Sequence, residues 1–135
     1  MFTLNCGGRL LKADRPLVMG IINTTPDSFY EGSRQMAIDS VLRKAGQMLN
    51  EGAAILDLGG QSSRPGAEAV NEEEELQRVI APLAAICQRI PEAVISIDTY
   101  HARVAQEAVS AGASIINDIS GGTLEGGIQQ LLQQL

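Results

Sequence analysis

Aromatic side chains are nearly missing from this sequence, which has two Phe, two Tyr and no Trp in 135 residues. So few rings exclude the stacking platforms on which single-stranded nucleic acids are held. Positive charge is also scarce: 10 Lys+Arg stand against 16 Asp+Glu, for a formal net charge of −6. A binder of nucleic-acid backbones needs a basic face, and nothing here is left over to build one. The chain has a single histidine, His101, and two cysteines, Cys6 and Cys87. These do not assemble a Ser–His–Asp triad, a zinc site or a disulfide scaffold. The thiols read as free, space-filling groups in a reducing compartment. No run approaches the ~20 apolar residues of a membrane span. Residues 1–8 lack the charge and apolar core of a secretory signal, so the expected compartment is the cytoplasm.

What is present is a core. Apolar residues make up 44% of the chain, enough for one packed domain. Short apolar runs alternate with amphipathic stretches. Residues 17–22 are a run between Pro16 and Asn23-Thr24-Thr25-Pro26, and read as a buried strand. Over 36–50, Ile38, Val41, Leu42, Ala45, Met48 and Leu49 fall on one helical face, and Gly52 is the expected stop. Residues 53–58 read as a second strand, followed by a loop at 59–70. Asn71 then stands as N-cap three residues before Glu74, and the acidic turn after it reads as a solvated helix start. That helix contains Pro82, which is expected to kink it. Residues 93–97 read as a third strand, a third helix is expected from Thr99 or Tyr100 to Gly112, and 113–116 read as a fourth strand. A fourth helix is expected over 128–135, where the pattern stops on an apolar residue without a cap, as in a domain cut short. Residues 2–11 read as a small hairpin around Gly7-Gly8.

The stretches 52–57 and 112–117 echo one another: a glycine, a short strand, then a polar side chain, Asp57 or Asn117. Repeated βα units imply a parallel sheet, either an open α/β sheet or the first half of a (β/α)8 barrel. In both, ligands bind at the carboxyl ends of the strands. Polar residues stand there four times: Asn23, Asp57, Asp98 and Asn117. Asp98 can accept two hydrogen bonds from adjacent N–H groups of a heterocycle, and Asn117 can both accept and donate. The competing roles are capping of the next helix for Asp98 and a turn contact for Asn117. The loop Gly59-Gly60-Gln61-Ser62-Ser63-Arg64-Pro65-Gly66 brings backbone N–H groups, hydroxyls and a guanidinium that suit an oxyanion. Asn23 offers a carbonyl oxygen suited to Mg²⁺, provided that phosphate oxygens complete the shell. His101 reads as a surface residue in a first helical turn.

These motifs carry a resemblance. Met19-Gly20-Ile21-Ile22-Asn23-Thr24-Thr25-Pro26-Asp27-Ser28-Phe29 resembles the first signature of the dihydropteroate synthase family, and the stretch from Asp57 to Ala67 resembles the second. Ile97-Asp98-Thr99 and Ile115-Ile116-Asn117-Asp118-Ile119 match its next two strand tips. The resemblance implies a single partial domain over 1–135, the N-terminal half of a (β/α)8 barrel with about four βα units after the hairpin. It implies an enzyme of folate biosynthesis, a transferase joining 6-hydroxymethyl-7,8-dihydropterin diphosphate to 4-aminobenzoate. It implies Asp98 and Asn117 as catalytic, pterin-gripping residues, with Asp98 stabilising a cation-like methylene. It further implies Asp57 under the pocket, Ser63 on the pterin diphosphate, and Phe29, Arg64 and Pro65 in the loops around 4-aminobenzoate. Asn23 is implied as the Mg²⁺ contact, and a homodimer as the state of the full-length enzyme.

Two residues depart from the family, Gln61 for a usual glutamate and Ser63 for a usual threonine. The family's later aspartate, lysine loop and arginine–histidine pair do not occur in these 135 residues, and the fragment alone is expected to be inactive. Two other readings stay open: the pterin-binding domain of a methyltetrahydrofolate methyltransferase, and a non-catalytic fragment. Residues 25–29 together with Ser63-Arg64-Pro65 favour the synthase.

Overall fold

The structure, a computed structural model, describes residues 2–6, 8–24, 34–60 and 71–117. Strands β1 (Phe2–Cys6) and β2 (Arg9–Ala13) form an antiparallel hairpin. Cys6 pairs with Arg9, which leaves a two-residue connection in which Gly8 takes φ +85°. A side chain is strained in that left-handed region, so glycine is the residue that fits. The Gly8 N–H donates to Asn5 Oδ1 at 2.9 Å, fixing the turn.

The rest is a repeated βα winding: β3 (Met19–Asn23), α1 (Arg34–Asn50), β4 (Ile55–Gly59), α2 (Glu72–Arg89), β5 (Ile95–Asp98), α3 (Ala102–Ala111) and β6 (Ile115–Asn117). The four strands are parallel, in the order β3-β4-β5-β6. A doubly wound sheet reverses its strand order and has helices on both faces. Among the described residues the order does not reverse, and the helices share one face. Val41 and Ala45 of α1, Leu76, Val79, Leu83 and Ile86 of α2, and Val104 and Ala108 of α3 meet Ile22, Leu56, Leu58, Ile95 and Ile97 in one buried cluster. This is the winding of a (β/α)8 barrel, with four of its strands among the described residues.

Side chains alternate across a strand, so the register identifies the other face. Ile21, Asp57, Ser96 and Ile115 form one row of it, and Asn23, Gly59, Asp98 and Asn117 form the next, toward the carboxyl ends. The hairpin closes the opposite end: Cys6 is buried against Ile55 and Val94, with Leu11, Ala54 and Ile115 beside them. Along β3 the same face is open, with Ile21 64% exposed. No helix among the described residues is long and apolar enough to cross a membrane.

Local chemistry sets the element ends. Asn71 caps α2 by accepting from the Glu74 N–H at 2.8 Å. Gly52 and Gly112, at φ +109° and +121°, stop α1 and α3. Pro82 does not end α2, which runs unbroken to Arg89 with the proline ring buried. The cost of one missing N–H is met by packing on both sides of it. Three expectations are corrected. Helix α3 starts at Ala102, because the Thr99 hydroxyl accepts from the His101 N–H at 3.1 Å and holds residues 99–101 in a turn. The acidic turn of α2 is not wholly solvated: Glu73 and Glu74 are exposed, whereas the Glu75 side chain is fully buried. His101 is not a surface residue of a helical turn: it precedes α3, 14% exposed, with Nε2 3.6 Å from Glu75 Oε2. The expected helix over 128–135 lies outside the described residues.

Candidate active site

Three of the four expected tip residues share one register row. Asn23 ends β3, Asp98 ends β5 and Asn117 ends β6, with Gly59 filling the β4 place between Asn23 and Asp98. Glycine there leaves room: a Cβ on Gly59 would lie 3.4 Å from Asp98 Cβ and 3.5 Å from its Oδ2. The fourth residue, Asp57, is not at a tip. It stands one row deeper, opposite Ser96, because the β4 ladder continues through Leu58 to Gly59. Asp57 therefore forms a floor and the other three a rim. Asn117 Nδ2 donates to Asp57 Oδ2 at 3.5 Å, a long hydrogen bond that joins the two rows.

The floor is electrostatically unsettled. Asp57 is 3% exposed, and burial pushes its carboxyl above the usual carboxylate range, with Ser96 and Asn117 acting in the opposite direction. Asp57 Oδ1 and Ser96 Oγ are both buried without a well-formed hydrogen bond. Buried polar atoms are nearly always partnered, so two such weakly bonded atoms on the polar face of the sheet suit a polar ligand above them. The N-cap position of α3 is His101, three residues on from Asp98.

The loops expected around the second substrate leave the sheet from adjacent points. Thr24, buried at the end of β3, donates to the Gly59 carbonyl through both its N–H (2.8 Å) and its hydroxyl (3.0 Å). Arg78 of α2 donates to the Gly60 carbonyl at 3.0 Å. Phe29, Ser63, Arg64 and Pro65, and Asp118 beside Asn117, lie outside the described residues. Asn23 is exposed and offers one neutral oxygen. Among the described residues no three His, Cys, Asp or Glu side chains converge as a metal cage would require.

Sequence reasoning missed Ser96, Glu75 and the Thr24 anchor. The signal for Ser96 was there: in Ile95-Ser96-Ile97-Asp98 it shares Asp98's parity and interrupts an apolar strand. Glu75 likewise falls in the apolar stripe of α2 with Val79, Leu83 and Ile86.

The family model for pterin binding enzymes matches residues 19–135. The chain belongs to this family. Among pterin-binding enzymes, it is 53% identical over 108 residues to the dihydropteroate synthase of Bacillus subtilis, covering 80% of this chain and 38% of that protein. It superposes on Xanthomonas albilineans dihydropteroate synthase with 4-aminobenzoic acid at a TM-score of 0.88 and 40% identity, over 98% of this chain and 49% of that one. The Burkholderia cenocepacia enzyme complexed with 7,8-dihydropteroate matches at a TM-score of 0.78 and 46% identity, over 94% and 41%. The chain thus spans about half or less of the length of these relatives.

Proposed function

We propose that the chain supplies the N-terminal half-barrel of a dihydropteroate synthase, condensing 6-hydroxymethyl-7,8-dihydropterin diphosphate with 4-aminobenzoate and releasing diphosphate. The observation that carries this reading is the two-row polar face: Asn23, Asp98 and Asn117 on the rim, with Asp57 and Ser96 beneath them, on a sheet otherwise apolar. The pterin edge alternates ring nitrogens with an amino group. Asp98 accepts from adjacent N–H groups of that edge, and Asn117 accepts and donates beside it. As the C–O bond to diphosphate breaks, positive charge develops on the pterin methylene. The Asp98 carboxylate, half-buried on the rim, stabilises it electrostatically.

Because Thr24 and Gly59 are hydrogen-bonded, the loops carrying Phe29 and carrying Ser63, Arg64 and Pro65 start side by side, as a shared 4-aminobenzoate pocket requires. Asn23 is the residue that would hold Mg²⁺. Its hard oxygen fits that ion, with diphosphate oxygens and water completing the shell. Mg²⁺ supplies charge neutralisation for the leaving diphosphate when bound. A cytoplasmic, homodimeric whole enzyme is part of the same reading, to which the free thiols lend support for the compartment.

The test is a fusion of these residues to the C-terminal half of the Bacillus subtilis synthase, joined at the matching strand. Turnover of both substrates by the fusion, and none by the 135 residues alone, is expected. A fusion that folds and binds no pterin would overturn the reading.

A further inference from the structure

Glu75, fully buried, and the partly exposed His101 play no part in the chemistry above, yet they sit directly behind the residue that does. Asp98 ends β5, and Thr99, next along, is buried, donating its N–H to the Asn117 carbonyl at 3.2 Å. The Thr99 hydroxyl receives the His101 N–H at 3.1 Å. The Tyr100 ring lies against the His101 imidazole at 4.4 Å between centroids. The imidazole then reaches the α2 carboxylate, with Nε2 3.6 Å from Glu75 Oε2 and the Glu75 side chain fully buried. On its other side, the Glu75 stem meets the tip of β4: a Cβ on Gly60 would lie 3.2 Å from Glu75 Cγ, 3.1 Å from Val79 Cγ2 and 3.3 Å from Arg78 Cβ. Gly59, beside it, abuts Asp98 itself. The contacts make a closed ring: Asp98, Thr99, His101, Glu75, Gly60, Gly59 and back to Asp98.

Such a carboxylate does not serve stability well. Glu75 occupies a place in the apolar stripe of α2 where a hydrophobic side chain would be cheaper to bury. The N-terminus of α2 is already served by the exposed Glu73 and Glu74 and by the Asn71 cap. The buried carboxylate and the imidazole facing it instead link two strand tips through one helix.

We propose that Glu75 and His101 are positioning residues that hold the Asp98 carboxylate in register with the β4 tip. The pair acts through Asp98 and does not touch substrate. This rests on the proposed pterin site. Removing either partner should loosen Asp98 and raise the KM for the pterin diphosphate about tenfold, short of the roughly hundredfold loss that a 1 Å misplacement can cause. The KM for 4-aminobenzoate should stay within about twofold, since Asp98 does not meet that substrate.

The experiment has two arms. In ¹⁵N spectra of the 135-residue chain, His101→Gln and, separately, Glu75→Gln should shift the amides of Asp98, Thr99 and Asn117 and leave that of Asn23 in place. In the fusion with the Bacillus C-terminal half, both variants should show the pterin-selective rise in KM. His101→Lys, which places a cation opposite Glu75, should restore it to within about threefold. Unmoved amides at 98, 99 and 117 overturn the proposal, as does an equal rise in both KM values or a failure of lysine to rescue. An unmodified fusion without pterin binding would instead count against the proposed function, and the amide shifts would still decide the positioning role.

Discussion

Replacing Asp57 with asparagine should make the chain more stable at neutral and alkaline pH and make no difference in acid. The carboxyl is 3% exposed, its Oδ1 and the neighbouring Ser96 hydroxyl make no well-formed hydrogen bond, and the hydrogen bond that its Oδ2 accepts from Asn117 is long at 3.5 Å. Each buried, unpartnered polar atom costs about 1–3 kcal/mol. An asparagine side chain keeps an oxygen for Asn117 Nδ2 and turns an N–H toward Ser96 Oγ, so one substitution removes two orphans and one buried charge. After the charge-assisted part of the Asn117 bond is lost, a gain of about 1–2 kcal/mol remains. For a chain of this size that is about 3–10 °C in Tm.

The sign with pH follows from the direction of the shift. Burial raises the folded carboxyl's pKa above its unfolded value, so the folded state holds the proton more tightly. Asp57 therefore favours folding fully below the unfolded pKa, and that contribution is lost as pH rises through the raised folded value. The advantage of the asparagine, which has no proton to lose, thus exists only above that window. Circular-dichroism melts of both forms from about pH 4 to pH 8 test it. A lower Tm for Asp57→Asn at the alkaline end, or a difference that does not vary with pH, would refute the reasoning and mark Asp57 as a stabilised carboxylate.

Three further outcomes are expected. In the active fusion, Asp98→Asn should weaken a pterin analogue by about 2–5 kcal/mol, because an acceptor facing ligand N–H groups becomes a donor, while 4-aminobenzoate binding changes little. Calorimetry decides it, and an unchanged pterin affinity would remove Asp98 from the site. Asn23→Ala should raise the Mg²⁺ concentration needed for turnover and leave binding of a pterin without diphosphate unaltered; Mn²⁺ titration with and without diphosphate checks this, tight binding without diphosphate being the contrary result. Asn71→Ala should cost about 1 kcal/mol by freeing the Glu74 N–H, read as a Tm lower by a few degrees, and no loss would mean that water replaces the cap.

Much of this architecture is legible in the sequence because its determinants are local. The Asn71 cap, the glycine stops at 52 and 112 and the two-residue hairpin turn each depend on a few adjacent residues. The (β/α) winding follows from alternating periods in the same way. What the sequence conceals depends on distant partners. Asp57 reads as a tip because it is the last polar residue before Gly59-Gly60, and only pairing with Ile97 and Asp98 of β5 extends the strand beyond it. Thr99 reads as a helix start, but its hydroxyl accepts the His101 N–H and holds the helix off until Ala102. Glu75 reads as one more solvated carboxylate because its partner, His101, comes from a different βα unit. Periodicity alone leaves open whether the apolar strands belong to an open sheet or a barrel, since both use the same pattern and differ in strand order and in whether helices cover one face or both.

The hairpin carries a consequence for the order of events during folding. Cys6 is buried by Ile55 and Val94, residues made long after it, so the hairpin leaves the ribosome before the apolar surface it rests on exists. A lone two-stranded ribbon is marginal in water. Its docking must therefore wait until β4 and β5 have paired, and closing so long a loop is slow compared with forming the local βα units. A segment synthesised ahead of the whole sheet is then among the last to be secured, and until it docks the amino end of the sheet around Ile55 stays open to other chains.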